Sequence, residues 1–232
     1  MKAMILAAGR GERMRPLTDT CPKPLLQVGG KPLIAWHLER LARAGFTDIV
    51  VNHAWLGARI EETLGDGSSL GARITYSPEA EALETAGGIA QALPLLGDAP
   101  FLVVNGDIYC DFDFGRAPSI TAQMQACNAQ AWLVLVPNPP QHPKGDFVLS
   151  TGTVSDQGEA RHTFSGIGIY QPSLFADIGR GSKAQLAPLL RAAMARKQVG
   201  GELHGGRWED VGTPERLAAL DIELRNAKPK QA

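Results

Sequence analysis

Ala3-Met4-Ile5-Leu6-Ala7-Ala8-Gly9-Arg10-Gly11-Glu12-Arg13, near the start of the chain, decides the fold. Ala3 to Ala8 form an unbroken apolar run, too short for a typical helix and lacking the alternation of a half-exposed strand. A run of this kind, stopped by glycines, fits a short strand buried on both faces that ends in a turn. Strands buried on both faces belong to parallel sheets covered by helices.

Working outward, the chain alternates. Pro32 to Ala44 carries Leu33, Trp36, Leu38, Leu41 and Ala44 on one helical face, with proline at its start and Gly45 at its end. Asp48 to Asn52 is a second buried strand and Leu56 to Leu64 a second helix. Arg73 to Tyr76 is a strand, Thr85 to Leu95 a helix, and Phe101 to Asn105 a strand ending at Gly106-Asp107. This alternation predicts an α/β fold, a Rossmann-like α/β/α sandwich with a mostly parallel central sheet. Ligands of such sheets bind beyond the carboxyl ends of the strands, where the glycine turn and Asp107 both fall. The second half is less regular. Ala131 to Val136 and Ile167 to Tyr170 are expected strands, Phe147 to Ser155 a hairpin around Gly152, and Gly201 to Arg207 a loop or short strand. Gln185 to Lys197 and Pro214 to Asn226 are expected helices, and the four prolines of Pro137 to Pro143 demand an irregular loop.

The chain has 232 residues and a formal net charge of −1. With no linker and no repeat, that length suits one domain over 1–226, with a flexible tail at 227–232. A near-neutral chain has no bulk attraction for nucleic acid or a membrane surface, so neither is expected as a partner. Cys21, Cys110 and Cys127 are odd in number and lack CxxC spacing, which argues against a disulfide framework or zinc site and for a reducing compartment. The first apolar run is too short for a signal peptide, and no later run approaches a membrane span. A cytoplasmic protein, monomeric or a small homo-oligomer, is expected.

The segment Gly9 to Lys31 carries Arg10, Arg13, Arg15, Lys23 and Lys31 against Glu12 and Asp19. Glycine lets backbone N–H groups approach a polyanion, and nearby cations neutralise it. Polyphosphate is the natural guest. A dinucleotide-binding turn would need a third glycine where Met14 stands, and the spacing of a P-loop is absent. Pro16, Pro22, Pro24 and Pro32 keep the segment from running straight into a helix. An extended phosphate-binding loop is expected.

The stretches Leu6-Ala7-Ala8-Gly9-Arg10-Gly11-Glu12-Arg13-Met14-Arg15-Pro16-Leu17-Thr18 and Pro22-Lys23-Pro24-Leu25-Leu26-Gln27-Val28-Gly29-Gly30-Lys31-Pro32 strongly resemble the signature of the sugar nucleotidyltransferase family. Further resemblances follow in order: Leu83-Glu84-Thr85-Ala86-Gly87-Gly88, Asn105-Gly106-Asp107, Phe164-Ser165-Gly166-Ile167 and Trp208-Glu209-Asp210-Val211-Gly212-Thr213-Pro214. The resemblance implies the nucleotide-diphospho-sugar transferase type of sandwich and a reaction between a sugar 1-phosphate and a nucleoside triphosphate. It assigns Arg13 and Lys23 to catalysis. Leu6, Ala7, Ala8, Gly9, Gly11, Arg13, Lys23, Glu79, Thr85 and Gly88 are assigned to the nucleotide, and Asn105, Gly145, Ser165 and Gly166 to the sugar phosphate. Asp107 and Asp210 are assigned to a Mg²⁺ cofactor. Glu79, Glu81 and Glu84 are alternatives for reading the base, or a solvated acidic stretch.

Many family members carry a lysine just before the sugar-contacting strand. Here Gly158-Glu159-Ala160-Arg161-His162-Thr163-Phe164 has none, and Lys144 is a candidate replacement. The short length, Glu84-Thr85-Ala86-Gly87-Gly88-Ile89 and the altered sugar region resemble those members that transfer a uridylyl group from UTP to N-acetylmuramate α-1-phosphate in cell-wall recycling. Turnover of another hexose 1-phosphate is the first alternative, and a non-catalytic nucleotide-sugar sensor the second. Asp111-Phe112-Asp113 leaves a metal-dependent glycosyltransferase as a third. No β-helix repeats follow Asn226, so neither an acetyltransferase activity nor assembly through such a domain is expected.

Overall fold

A computed structural model describes residues 1–227; most of the tail expected at 227–232 lies outside it. In chain order the strands are β1 (Ala3–Leu6), β2 (Gln27–Val28), β3 (Lys31–Pro32), β4 (Asp48–His53), β5 (Arg73–Pro78), β6 (Phe101–Asn105), β7 (Ile108–Cys110) and β8 (Ala131–Val136). They continue with β9 (Phe147–Ser150), β10 (Thr153–Ser155), β11 (Arg161–Tyr170), β12 (Val199–Leu203) and β13 (Trp208–Asp210). The helices are α1 (Leu17–Thr20), α2 (Leu33–Arg43), α3 (Gly57–Leu64), α4 (Glu84–Leu96), α5 (Ala117–Ala126), α6 (Leu186–Ala195) and α7 (Pro214–Asn226).

Nine strands form one sheet in the order β5-β4-β1-β6-β11-β8-β12-β10-β9. The half made by the first four is parallel throughout. Strand β11 then enters antiparallel between β6 and β8, so the sheet as a whole is mixed. The expected α/β sandwich is present, with its parallel part where the sequence alternates strand and helix. Successive residues of a strand face opposite sides, and both sides are apolar here. Ile5, Ile49, Val51, Leu102 and Val104 pack with Ile34, Leu38 and Leu41 of α2 and with residues of α3 and α5. Met4, Val50, Phe101 and Val103 face the other way, onto Ala86, Ile89 and Leu190 of α4 and α6. Each fully buried side chain of this size contributes roughly 1.5–3 kcal/mol.

A third, smaller core anchors the long loop segment after β1. Met14 and Leu26 from that loop pack with Tyr109 of β7, Val211 after β13, and Leu217 and Leu220 of α7. Helix α7 therefore clamps the loop from outside the sheet, although it comes last among the described elements. Its N-terminus is capped by the Thr213 hydroxyl, which accepts from the Arg216 amide, as an N-cap threonine should.

Several elements escaped the sequence reading, including α1, β2 and β3 within the segment expected to be an extended loop. Helix α5 has weak amphipathicity and polar residues along much of its length. The ribbon of β7 and β13 is only three residues long on each side. Strand β11 begins at Arg161, six residues before the expected Ile167, because a bulge between Phe164 and Ile167 breaks its alternation. No helix among the described residues is long and apolar enough to cross a membrane.

His37 on α2 is fully buried, and its Nε2 lies 2.7 Å from the Ile108 carbonyl oxygen. That oxygen can only accept, so Nε2 carries the proton. Burial, acting first, pushes the His37 pKa down from 6.5 to about 4. Between those values the unfolded chain binds a proton that the folded chain refuses, so stability falls as pH drops through the window. A His37→Gln variant should show a shallower loss of melting temperature on acidification from pH 6.5 to 4. Equal slopes for the two proteins would remove His37 from the acid sensitivity.

Candidate active site

In the parallel half, the chain leaves β1 toward β4 and β5, then returns to add β6 on the other side. This is a topological switch point, where open α/β sheets form their ligand crevices. A cleft of about 550 Å³ opens there. Its floor is set by register: Leu6 at the end of β1 is flanked by Asn52 of β4 and Asn105 of β6. Both asparagines line the cleft. Gly106 donates its amide to the Leu6 carbonyl at 2.9 Å, and a Cβ there would lie 2.7 Å from that oxygen.

The loop after β1 forms one wall. Leu6, Ala7, Ala8, Gly9, Gly11 and Arg13 all face the cleft. Gly11 takes φ +70°, a conformation that suits glycine. A Cβ on it would sit 3.2 Å from that of Lys23. Among the described residues Arg13 has no ionic partner, whereas Arg10 and Arg15 are both turned onto Asp19 at 3.0 and 2.8 Å. Arg10 also stacks on Trp55, 3.9 Å from the ring centroid. Neither Arg10 nor Arg15 lines the cleft, which leaves Arg13 as the loop's cation toward a ligand.

Lys23 sits between Pro22 and Pro24 in a short 3₁₀ turn and is 7% exposed. Its ammonium lies 2.7 Å from Oδ2 of Asp107, whose side chain is 39% exposed toward the cleft. Asp210 stands on the neighbouring strand, where the Val211 amide donates to the Asp107 carbonyl at 3.1 Å. The Asp210 carboxylate lies beside Gly212, which lines the cleft, and is held by Arg216 at 2.6 Å. Each aspartate thus carries a side-chain cation. Among the described residues no group of three or more His, Cys, Asp or Glu side chains is arranged to hold a metal. Asp107 lines the cleft and Asp210 does not; both offer the hard oxygen donors that Mg²⁺ takes, one or two carboxylates at a time with waters and substrate phosphates.

The opposite wall is the entry to α4, with Ala82, Glu84 and Thr85. Behind it runs a buried polar relay. The Ala7 amide donates to Asn52 Oδ1 at 2.9 Å, and Asn52 Nδ2 donates to Glu79 Oε1 at 2.6 Å. Glu79 Oε2 accepts from the Leu83 amide at 2.8 Å. Glu79 lines the cleft as expected, yet each of its oxygens already ties the two walls together. Gly88, expected at the nucleotide, lies outside the lining. It serves the relay instead, since a Cβ there would be 2.7 Å from Glu79 Oε1 and 2.8 Å from Asn52 Nδ2. Gly88→Ala should therefore spread the walls and raise the KM for nucleotide several-fold with a smaller effect on kcat. An unchanged KM would show that the relay does not set the width of the slot.

The expected sugar-phosphate residues divide. Asn105 lines the cleft, but Gly145, Ser165 and Gly166 do not. The Ser165 hydroxyl is spent on the bulge, donating to the Val134 carbonyl at 2.6 Å and accepting from the Ile167 amide at 3.1 Å. Gly166, at φ +82°, makes room for Asn105, whose Nδ2 would lie 2.6 Å from an added Cβ. Gly145 forms a turn against Asn138. Lys144, the candidate replacement cation, is also outside the lining, whereas Lys183, which the sequence reading passed over, is in it. Asn52 was missed too, although it closes Val50-Val51-Asn52 just as Asn105 closes Val103-Val104-Asn105.

A glycine loop at the switch point of an α/β sheet, with a buried lysine on an aspartate beside it, defines a site for moving phosphorylated groups. The chain belongs to the nucleotidyl transferase family, whose sequence model matches residues 2–226. It is 61% identical, over 94% of its length and 95% of the relative's, to N-acetylmuramate alpha-1-phosphate uridylyltransferase of Neisseria meningitidis serogroup B. A protein of the same name from Caulobacter vibrioides is 36% identical over 97% of each chain. The fold matches that of a Bacillus anthracis protein assigned as a glucose-1-phosphate thymidylyltransferase, with a TM-score of 0.84 at 21% identity, over 100% of this chain and 98% of the other.

Proposed function

We propose that this chain transfers a uridylyl group from UTP to N-acetylmuramate α-1-phosphate, giving UDP-N-acetylmuramate and pyrophosphate. The observation that carries the chemistry is the Lys23–Asp107 pair at 2.7 Å, facing the cleft beside the glycine loop. The substrate assignment rests on the extent of identity to the Neisseria relative.

In the reaction an oxygen of the sugar phosphate attacks the α-phosphorus of UTP, and the bond from that phosphorus to the bridging oxygen breaks. Two anions must approach, so the chain's task is to align them and offset charge. Arg13, with no ionic partner among the described residues, neutralises the departing pyrophosphate. Lys23, fixed by its flanking prolines, stands at the phosphates of the reacting centre. The backbone of Leu6 to Gly11 holds the nucleotide closely because glycine leaves room for it. Asp107 and Asp210 would hold Mg²⁺, which when bound supplies further charge neutralisation at the phosphates. No side chain forms a covalent bond to substrate in this scheme.

On this reading the reaction is cytoplasmic and belongs to recycling of cell-wall sugars. The odd count and scattered spacing of Cys21, Cys110 and Cys127 suit a reducing compartment. The test is pyrophosphate release by the purified protein across a matrix of nucleoside triphosphates and sugar 1-phosphates, with and without Mg²⁺. Release is expected with UTP, N-acetylmuramate α-1-phosphate and Mg²⁺ together. Binding of uridine nucleotides with no release for any combination would mark a sensor instead.

A further inference from the structure

The cleft is lined by three cations, Arg13, Lys23 and Lys183. The first two belong to the phosphate loop, and Lys23 is tied to Asp107. Lys183 arrives from the far half of the chain, in the connection between β11 and α6. That connection is strapped across the entry to α4. The Ala184 amide donates to the Leu83 carbonyl at 3.0 Å, and the Ala184 carbonyl accepts from the amides of Ala86 and Gly87 at 3.0 and 3.1 Å. The last two are first-turn N–H groups of α4, which have no partner inside the helix. Gly87 has no Cβ because the Ser182 carbonyl occupies that space. The backbone on both sides of Lys183 is therefore held.

Its side chain is not held. The ammonium has one ionic partner among the described residues, Glu81, at 3.5 Å, and the two side chains are 61% and 80% exposed. Exposed pairs of this kind are weak. An incoming carboxylate can replace Glu81 at little cost, exchanging one anion for another.

We infer that Lys183 binds the lactyl carboxylate of N-acetylmuramate α-1-phosphate and so selects an acidic sugar. The inference rests on the substrate reading above. That substrate carries two anionic groups, and N-acetylglucosamine 1-phosphate lacks only the lactyl one. The phosphate must lie at the reacting centre, by Lys23 and Asp107. A carboxylate drawn into the cleft without a cation would lose hydration uncompensated. Lys183 is the lining cation that belongs to neither the phosphate loop nor the aspartate pair, and it stands on the wall formed by Ala82, Glu84 and Thr85.

The test is steady-state kinetics of Lys183→Met and Lys183→Arg with UTP and each of the two sugar phosphates. In Lys183→Met the KM for N-acetylmuramate α-1-phosphate should rise roughly 10- to 100-fold, the worth of a charge-assisted hydrogen bond. The KM for UTP should stay within about twofold, and Lys183→Arg should recover most of the loss. Any turnover of N-acetylglucosamine 1-phosphate should keep its KM. An equal rise for both sugars would assign Lys183 to the phosphate, a rise for UTP would assign it to the nucleotide, and no change would leave it outside the site; each overturns the inference. Failure of the substrate reading is separate, because it would appear as no turnover of N-acetylmuramate α-1-phosphate by the unmodified protein.

Discussion

Asp107→Ala is expected to lose turnover by roughly 10²- to 10³-fold or more, on the scale seen when one preorganised electrostatic partner leaves a site where charge develops. The reason lies in its position. Asp107 follows the end of β6 at the switch point, and its carboxylate holds Lys23 at 2.7 Å. It is also one of the two carboxylates proposed above to hold Mg²⁺. Removing it takes a negative charge from a buried lysine, so some loss of stability is expected as well. Because the Asp107 side chain is 39% exposed, water screens the pair and that loss should stay near 1 kcal/mol. Asp107→Asn separates the effects, since the amide still accepts from Lys23 but carries no charge. Both variants should melt cooperatively and be nearly inactive. Mg²⁺-dependent turnover within tenfold of the unmodified protein would refute the metal assignment.

Lys23→Met should behave differently. It removes a cation that is 7% exposed and replaces it with an apolar chain of similar length. The cost of desolvating the ammonium disappears, but removing one partner of a buried pair leaves the other charge uncompensated, a loss that water screens because the Asp107 side chain is 39% exposed. Asp107 loses its partner but retains water. The expected protein therefore melts within a few degrees of the original, about as far as a loss near 1 kcal/mol would take it, yet its kcat/KM falls about 10²- to 10³-fold because the phosphates lose a fixed charge. Thermal unfolding and steady-state kinetics on one preparation check both halves. A clear drop in melting temperature with activity retained would make Lys23 a structural residue.

The positions of these two residues stood out in the sequence because their context is local, while their roles came from the family resemblance. Lys23 is framed by Pro22 and Pro24, and Asp107 follows a strand whose apolar run cannot be misread. The parallel half of the sheet was legible for the same reason: its strands are buried on both faces and are separated by amphipathic helices. What the sequence hid is non-local. Asn52 meets Ala7 only because β4 lies beside β1 in register, and Gly88 meets Glu79 only after α4 folds back onto the sheet. The matched endings of β4 and β6 were a usable signal, since a polar residue closing a buried strand sits at the ligand edge of such a sheet. Lys183 offered no signal, because its connection becomes a wall of the cleft only through backbone hydrogen bonds to α4. Ser165 and Gly166 show a further non-local use: the bulge takes up the hydroxyl of one, and the other seats Asn105.

The most direct measurement is a competition. The purified protein is given UTP, Mg²⁺ and an equimolar mixture of N-acetylmuramate α-1-phosphate, N-acetylglucosamine 1-phosphate, glucose 1-phosphate and mannose 1-phosphate, and the products are resolved by mass spectrometry. Early product ratios report the ratios of kcat/KM. UDP-N-acetylmuramate should dominate, with pyrophosphate released in equal amount. Dominance of a glucose or mannose product, with no UDP-N-acetylmuramate formed, would contradict the account.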